Sequence, residues 1–284
     1  MSAPSPDPSS SSPDPTSSSP AAIRFVEVDG VRLRTSVRGE GPPLLLITGL
    51  GASLDLAEPF EREVTARGFQ VIAYDAPGVG QSTAYPWPQR MPGVARTVRR
   101  MLDVLGYDRV DVLGVSLGGA VAQQFARQNP GRVGRLVLAA TAPGLGGVPG
   151  NPAVLVKLIT PRRYSQPDYY RRVAGTIYGG DARRDPNALL HGSVARFIER
   201  PSIRGYLSQL YAITGWTSVP WLHTLRQPTL VLAGDDDPIV PVINGRILAH
   251  CIPQARLHVV RGGGHLFLLE RPAAMAALVA DFLS

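Results

Sequence analysis

The sequence has little of what would place it among disulfide-stabilised or membrane-spanning proteins. Cys251 is the only cysteine in 284 residues, so no disulfide can form within the chain, and we expect it to be a small buried apolar residue. No apolar run approaches the ~18 to 20 residues that a membrane-spanning helix needs. Lys157 is the only lysine, and arginine therefore carries the formal net charge of +7. No nucleic-acid-binding module accompanies this basicity, which favours a globular protein with neither a nucleic-acid partner nor a membrane span.

The first residues of the chain lack the large apolar side chains that a folded segment needs. Residues 1–20 are almost entirely Ser, Pro, Asp and Ala, and such a segment cannot bury enough surface to offset its ordering entropy. They also have no basic start and no apolar core of the kind found in secretory signals. We therefore predict a disordered Ser/Pro-rich tail over residues 1–22. The missing signal and the single cysteine together predict a cytoplasmic protein.

Beyond the tail, apolar strand patterns alternate with helical patterns. A hairpin turns at Asp29-Gly30, and the strands between residues 44 and 140 are continuous apolar runs, which are typical of strands buried on both faces. The pattern stops near residue 143 and resumes near residue 228. This predicts an α/β fold with a mostly parallel central sheet flanked by helices. The predicted core comprises residues 23–142 and 222–284, and residues 143–221 form an inserted helical lid over the carboxyl edge of the sheet.

One serine stands between a strand pattern and a helix pattern, with a glycine two residues away on each side. The segment is Gly114-Val115-Ser116-Leu117-Gly118, which matches the G-x-S-x-G signature of a nucleophile elbow. A turn this sharp strains the serine backbone and brings strand and helix so close that side chains at the two glycine positions would collide. It also lifts the hydroxyl above the end of the sheet. We predict that Ser116 is a catalytic nucleophile.

Residues able to activate this serine follow later strands. A serine hydroxyl needs a base, and the base needs an acid that orients it. The strand that resumes the pattern runs into three aspartates, of which Asp237 has the position usual for the acid, whereas Asp235 and Asp236 are predicted turn formers. The last strand is followed by three glycines and His265. Because acid and base come in the order expected after an elbow, Ser116, Asp237 and His265 form the predicted catalytic triad.

An acyl-transfer site also needs backbone N–H groups that stabilise the oxyanion of the tetrahedral intermediate. One donor should be Leu117, directly after the nucleophile. The other should be Leu50, in the glycine-rich loop that follows the first buried strand. We therefore predict an oxyanion hole made by the N–H groups of Leu50 and Leu117. The alternative is that the loop around Leu50 is only a tight turn.

The combination of strand order, elbow, late acid and late histidine resembles the α/β-hydrolase fold over residues 23–284. More narrowly, the chain resembles the intracellular medium-chain-length poly(3-hydroxyalkanoate) depolymerases. The segments that carry this resemblance lie around the triad, at 114–126, 232–238 and 264–268, and within the insertion, at 161–164, 176–180, 183–186 and 215–218. Because lid sequences diverge quickly between hydrolases of different specificity, the segments in the insertion are the more specific ones.

The resemblance implies a serine ester hydrolase that degrades intracellular medium-chain-length poly(3-hydroxyalkanoate) through an acyl-enzyme, without a metal or an organic cofactor. It implies a polyester or ester substrate and makes the polymer granule a candidate partner. Ile177, Tyr178 and Trp216 of the lid are candidate substrate-binding residues, with packing in the lid core as the alternative. The arginine pairs of the lid are interpreted as solvated faces or internal salt bridges, with granule contact as the alternative: Arg162/Arg163, Arg171/Arg172 and Arg183/Arg184.

Two positions depart from the pattern of the family. Thr48 stands where many α/β-hydrolases have histidine, which changes the side-chain support of the oxyanion loop. Leu117 stands where the resembling enzymes often carry tryptophan, so we expect a different pocket wall.

Other functions remain compatible with these residues. A small-molecule carboxylesterase or a C–C bond hydrolase would use the same triad with another lid. A ligand-binding protein of this fold without catalysis would typically lack a triad member. A serine at position 116 argues against a polymer synthase, which would carry cysteine there, and against haloalkane dehalogenases and epoxide hydrolases, which carry aspartate.

Overall fold

The computed structural model describes residues 21–185 and 198–284. Most of the tail predicted for residues 1–22 lies outside these ranges, as do residues 186–197 of the predicted lid. Ala22, which was predicted to close the tail, instead begins the first strand. Among the helices of residues 21–185 and 198–284, none has both the length and the hydropathy of a membrane span.

Eight strands form one mixed sheet. They are β1 (Ala22–Val28), β2 (Val31–Arg38), β3 (Pro43–Ile47), β4 (Gln70–Tyr74), β5 (Val110–Val115), β6 (Val133–Ala139), β7 (Thr229–Gly234) and β8 (Ala255–Val260). Their order in the sheet is β1-β2-β4-β3-β5-β6-β7-β8. The β2 strand runs antiparallel to both of its neighbours, and the pairs from β4 to β8 are all parallel. The predicted mostly parallel sheet is therefore confirmed.

Helices cover both faces of the sheet and extend above its carboxyl edge. Those that precede β6 are α1 (Glu58–Thr65), α2 (Met91–Leu105) and α3 (Leu117–Gln128). Between β6 and β7 lie α4 (Pro152–Leu155), α5 (Arg162–Ser165), α6 (Pro167–Tyr178), α7 (Gly180–Arg184) and α8 (Ile203–Ile213). After β7 come α9 (Val242–Cys251), α10 (Phe267–Glu270) and α11 (Pro272–Leu283).

The continuous apolar runs of the central strands are explained by burial on both faces. In β3, Leu45 and Ile47 belong to the apolar core formed with α2, α3 and α9. Leu44 and Leu46 belong to the opposite core, formed with α1 and α11. Because successive side chains of a strand point to opposite faces, a strand between two helical layers needs apolar residues at every position.

The helix α2 shows how local sequence sets the ends of these elements. It has a proline in its first turn, where the missing N–H costs nothing, and it stops at Gly106, whose φ of 83° closes the helix in the left-handed conformation. Its inward face is apolar, and Val98, Met101 and Leu102 are buried against the sheet. Cys251, at the end of α9, packs against the same apolar core but is only partly buried, so the expectation of a small buried apolar residue is met only in part.

The segment between β6 and β7 has an apolar core of its own. Tyr170, Val173 and Ile177 of α6 pack there with Val154 of α4 and Ala182 of α7. A second small cluster joins Tyr164 and Tyr206 to Leu56 below them. We propose that this segment, predicted over residues 143–221, is a lid that rests on the loops at the carboxyl edge of the sheet.

Candidate active site

Ser116 lies at the sharp turn between β5 and α3. Its φ of 55° and ψ of −119° are a backbone conformation that a side chain rarely adopts. A Cβ atom on Gly114 would stand 2.4 Å from the carbonyl oxygen of Gly118, and one on Gly118 would stand 2.1 Å from that of Ile47. Both glycines are therefore required by close backbone packing, and together they hold the serine above the end of the sheet.

Two residues from later loops meet the serine side chain. His265 Nε2 lies 3.0 Å from Ser116 Oγ, and His265 Nδ1 lies 2.7 Å from Asp237 Oδ2. The other carboxylate oxygen of Asp237 accepts the N–H groups of Ile239 and Val240 at 2.8 and 2.9 Å. With Asp237 as acceptor, the histidine carries its proton on Nδ1, so Nε2 is free to accept the serine proton. This geometry suits general-base activation of Ser116.

The two neighbouring aspartates hold loops rather than the histidine. Asp235 accepts the N–H of Gly262 at 2.6 Å, and Asp236 accepts the N–H of Gly180 at 2.8 Å. Asp235 therefore fixes the loop that leads to His265, and Asp236 fixes the start of α7.

The two predicted oxyanion donors flank the nucleophile. Leu117 is the first residue of α3, and the loop of Leu50 comes close enough that a Cβ on Gly49 would lie 3.3 Å from Ser116 Cβ. Within residues 21–185 and 198–284, neither the Leu50 nor the Leu117 N–H has a hydrogen-bond acceptor. Thr48 closes the loop by donating its hydroxyl to the Ala52 carbonyl at 2.8 Å.

A cavity of about 600 Å³ opens above Ser116 and His265. Its walls are mainly apolar and come from the core and from the segment between β6 and β7; they include Phe60, Leu155, Leu158, Leu210, Ile239 and Leu266. Leu50, Leu117 and Tyr178 also line it. Such a cavity suits a long apolar group attached to a polar reacting centre.

Two of the three candidate lid residues do not line this cavity. Ile177 is fully buried inside the lid core, because it lies on the face of α6 that packs against neighbouring helices. Trp216 donates its Nε1–H to Gln124 at 2.8 Å and stacks edge-on against Trp221, so it belongs to the core beneath the lid. For these two residues the structure favours the alternative of packing in the core, whereas Tyr178 lines the cavity and stays a candidate for substrate binding.

The structure also places Arg163 in the cavity wall. From the sequence, this arginine was interpreted as part of a solvated face or an internal salt bridge. Its side chain is only 3% exposed. The guanidinium donates to Tyr206 Oη at 2.6 Å and to the carbonyl of Leu50 at 3.3 Å. The local sequence does not distinguish Arg163 from its exposed neighbour Arg162. Only the long-range hydrogen bonds of Arg163 set the two apart.

Asp75 fixes another loop at the same edge of the sheet. Its two oxygens accept the N–H groups of Leu54 at 2.8 Å and Gln81 at 3.1 Å. Burial raises the pKa of Asp75 to about 6, although these hydrogen bonds and the nearby Arg34 lower it.

Among the described residues, no group of three or more His, Cys, Asp or Glu side chains is arranged to hold a metal ion.

Comparison with known proteins gives a consistent result. Residues 42–272 match the family model described as the alpha/beta hydrolase fold. A "Poly(3-hydroxyalkanoate) depolymerase" from Ectopseudomonas oleovorans is 51% identical over 264 residues, which cover 92% of each chain. A "2-hydroxy-6-oxo-6-phenylhexa-2,4-dienoate hydrolase" from Burkholderia cepacia is 30% identical, over 89% of this chain and 91% of its own.

A solved structure agrees with these sequence matches. The crystal structure of a hydrolase from Pseudomonas aeruginosa PA01 superposes with a TM-score of 0.77 at 27% identity, covering 92% of this chain and 98% of that one. The chain therefore belongs to the α/β-hydrolase family and is a carboxylic ester hydrolase.

Proposed function

We propose that this ester hydrolase degrades intracellular poly(3-hydroxyalkanoate), that it prefers polymers with side chains of medium length, and that it acts in the cytoplasm. The observation that carries the proposal is the 51% identity to the depolymerase from Ectopseudomonas oleovorans, which extends over 92% of both chains. The match thus includes the lid segment, in which specificity is expected to reside. The apolar cavity above Ser116 is large enough for an alkyl side chain beside the ester.

The proposed reaction is acyl transfer through Ser116. His265 Nε2 takes the hydroxyl proton while Ser116 Oγ attacks the ester carbonyl, and Asp237 holds the imidazole and stabilises its positive charge. The N–H groups of Leu50 and Leu117 stabilise the oxyanion. His265 then gives its proton to the leaving oxygen, which departs as the 3-hydroxyl end of a shortened chain. A water molecule, deprotonated by His265, cleaves the acyl-enzyme and releases the acid.

The surface of the lid also supports contact with an apolar polymer. Ile203, Leu207 and Tyr211 follow one another at intervals of four on α8, and their exposed fractions are 70%, 51% and 43%. Residues spaced by four share a face of a helix, so these three form an apolar stripe on the solvent side, which we call the α8 stripe. We propose that the α8 stripe touches the granule.

A second candidate is a small-molecule ester or C–C bond hydrolase. The relative from Burkholderia cepacia that carries a dienoate hydrolase name is 30% identical over most of both chains. The same triad can catalyse ester hydrolysis and C–C bond hydrolysis, so only the substrates that the enzyme turns over can distinguish the two functions.

A substrate panel tests the proposal. It comprises amorphous granules with medium and with short side chains, p-nitrophenyl esters of increasing acyl length, and a dienoate of the C–C hydrolase type, with Ser116→Ala as control. Release of hydroxyacids from the medium-chain granules, absent in the control, is the expected result. Turnover of soluble substrates with untouched polymer would refute the polyester assignment and favour the second candidate.

A further inference from the structure

Side chains of two lid helices hold both sides of one peptide unit in the oxyanion loop. The Leu50 carbonyl accepts the hydroxyl of Tyr164 at 2.7 Å and the guanidinium of Arg163 at 3.3 Å. The N–H of Gly51, which belongs to the same peptide unit, donates to Gln209 Oε1 at 2.8 Å. Tyr164 and Arg163 lie on α5 and Gln209 lies on α8. The plane of the Leu50–Gly51 peptide is therefore set from the lid.

The rings of two tyrosines also enclose this peptide. A Cβ on Gly51 would lie 2.9 Å from the ring of Tyr164 and 3.0 Å from that of Tyr206. Gly51 has a φ of 73°, so the position needs glycine both for its backbone conformation and for its space. Packing and hydrogen bonding thus fix the same unit.

The buried guanidinium of Arg163 is itself held in place. Tyr206 Oη accepts from Arg163 and donates to the Leu158 carbonyl at 2.5 Å. In the described part of the chain Arg163 forms no salt bridge. Its two terminal nitrogens donate to neutral oxygens, and its Nε is buried without a hydrogen-bond partner. A buried cation stabilised by fixed dipoles has little freedom to move. Its contact with Leu50 is therefore part of a rigid network.

We propose that Tyr164, Arg163 and Gln209 are positioning residues that aim the N–H of Leu50 at the oxyanion. This inference rests on the proposed acyl-transfer site. The N–H of Leu50 belongs to the preceding Gly49–Leu50 peptide, which meets the clamped peptide at the Leu50 Cα. By fixing the position of that Cα, the clamp limits how far the preceding peptide and its N–H can turn. In this account the lid completes the oxyanion hole as well as covering it, and a loosened lid would leave the Ser116–His265 pair intact but the hole misaligned.

Isosteric variants of the full chain test the clamp. Tyr164→Phe removes the hydroxyl and keeps the ring, and Gln209→Met removes the acceptor at similar volume. Gln209→Glu keeps an acceptor for the Gly51 N–H and is the conservative variant with which Gln209→Met is compared. Tyr169→Phe, on α6 and outside the cavity wall, is the matched control for the loss of a lid hydroxyl.

Two ligands separate positioning of the hole from shaping of the cavity. A decyl trifluoromethyl ketone adds to the nucleophilic serine and generates a tetrahedral oxyanion, so its inhibition constant reports on the hole. Binding of 1-decanol reports on the cavity alone. Both are measured beside kcat and KM for p-nitrophenyl octanoate, with circular dichroism and melting curves as a check of folding.

The clamp predicts parallel losses in kcat and in affinity for the ketone. Each of Tyr164→Phe and Gln209→Met should lose about 5- to 10-fold, the effect of one hydrogen bond, with decanol binding unchanged. Gln209→Glu should retain most of the parent's kcat and ketone affinity, and Tyr169→Phe should match the parent. Unchanged kcat and ketone affinity in both variants would overturn the proposal, as would equal losses for ketone and decanol. If the parent itself does not bind the ketone, the acyl-transfer assignment fails instead.

Discussion

Neighbouring residues at this site have different roles because their side chains form hydrogen bonds with different atoms. Three consecutive aspartates follow β7, yet Asp237 alone of the three bonds His265, while Asp235 bonds a backbone N–H on the histidine loop. The sequence predicted this division from spacing within the loop. It could not predict Arg163, because the burial of one arginine in a pair depends on a carbonyl more than a hundred residues away.

An Asp237→Asn variant should lose activity by about 10³- to 10⁴-fold, because an amide no longer selects the proper tautomer of His265. Asp235→Asn, which makes the same chemical change two residues away, should stay within about threefold of the parent, as expected for an exposed loop hydrogen bond. The measurement is kcat/KM on p-nitrophenyl octanoate. Equal losses in the two variants would contradict the assignment of Asp237.

A buried acid that does not line the catalytic cavity should make stability depend on pH. Glu61 of α1 is 2% exposed, and burial raises its pKa from 4.5 to about 8, with Arg38 as the main opposing influence. The folded chain therefore keeps a proton that the unfolded chain loses above pH 4.5, so this residue lowers the free energy of unfolding progressively as the pH rises from 4.5 to 8.

Glu61→Gln, which stays neutral, should remove this dependence. We expect the melting temperature of the variant to exceed that of the parent by on the order of 5 °C at pH 8, and the difference to shrink toward pH 4.5. Glu63→Gln, on the more exposed side of α1, is the matched control and should change the melting temperature little. A constant difference between parent and Glu61→Gln across the pH range would contradict the account.

At the scale of elements, the site is assembled by loops at the carboxyl ends of parallel strands. Leu50 follows β3, Ser116 follows β5, Asp237 follows β7 and His265 follows β8. The sequence predicts this part well, because doubly buried strands read as apolar runs and the elbow has a fixed spacing. The sequence does not predict which apolar residues of the lid line the cavity and which pack inside. The side chains of Ile177 and Trp216 pack into cores that only the tertiary structure defines.

The start of α7 packs against the loop that carries His265, so we expect it to influence catalysis. His265 donates its N–H to the Tyr178 carbonyl at 2.6 Å, and a Cβ on Gly180 would lie 2.2 Å from the backbone nitrogen of Gly264. Gly180→Ala should therefore displace the histidine loop and lower kcat by at least about tenfold, as a hydrogen bond to a catalytic group is disturbed.

The lid offers a matched control for this change. Gly215 also has a positive φ, of 75°, but nothing lies within 4 Å of a Cβ built there. Gly215→Ala should cost about 1 kcal/mol of stability from backbone strain and leave kcat unchanged. Equal kcat values in the two variants would show that contact with the histidine loop is unimportant.

At the scale of the whole molecule, the lid presents apolar side chains to solvent while the cavity beneath it is apolar too. The α8 stripe is an exposed apolar surface of the kind that marks contact with another apolar phase. Its side chains make no part of the catalytic cavity wall. Substrate capture at the surface and hydrolysis in the cavity are therefore expected to respond to different substitutions.

Replacing Ile203 and Leu207 together by serine should reduce hydroxyacid release from granules by about tenfold, because two large apolar contacts with the polymer are lost. Hydrolysis of p-nitrophenyl octanoate should stay within twofold of the parent. Val104→Ser, an exposed valine on α2, is the control and should affect neither activity. Granule hydrolysis that survives the double substitution would exclude the α8 stripe as the contact surface.

Hydrolysis through an acyl-enzyme on Ser116 can be detected as a gain in mass of the peptide that contains this serine, after a rapid acid quench of enzyme turning over medium-chain-length granules. We expect this peptide to gain the mass of one 3-hydroxyacyl unit or of a short oligomer, and we expect the gain to disappear in Ser116→Ala. An unmodified Ser116 during polymer turnover, or an acyl group on another residue, would refute the role of Ser116 as the nucleophile.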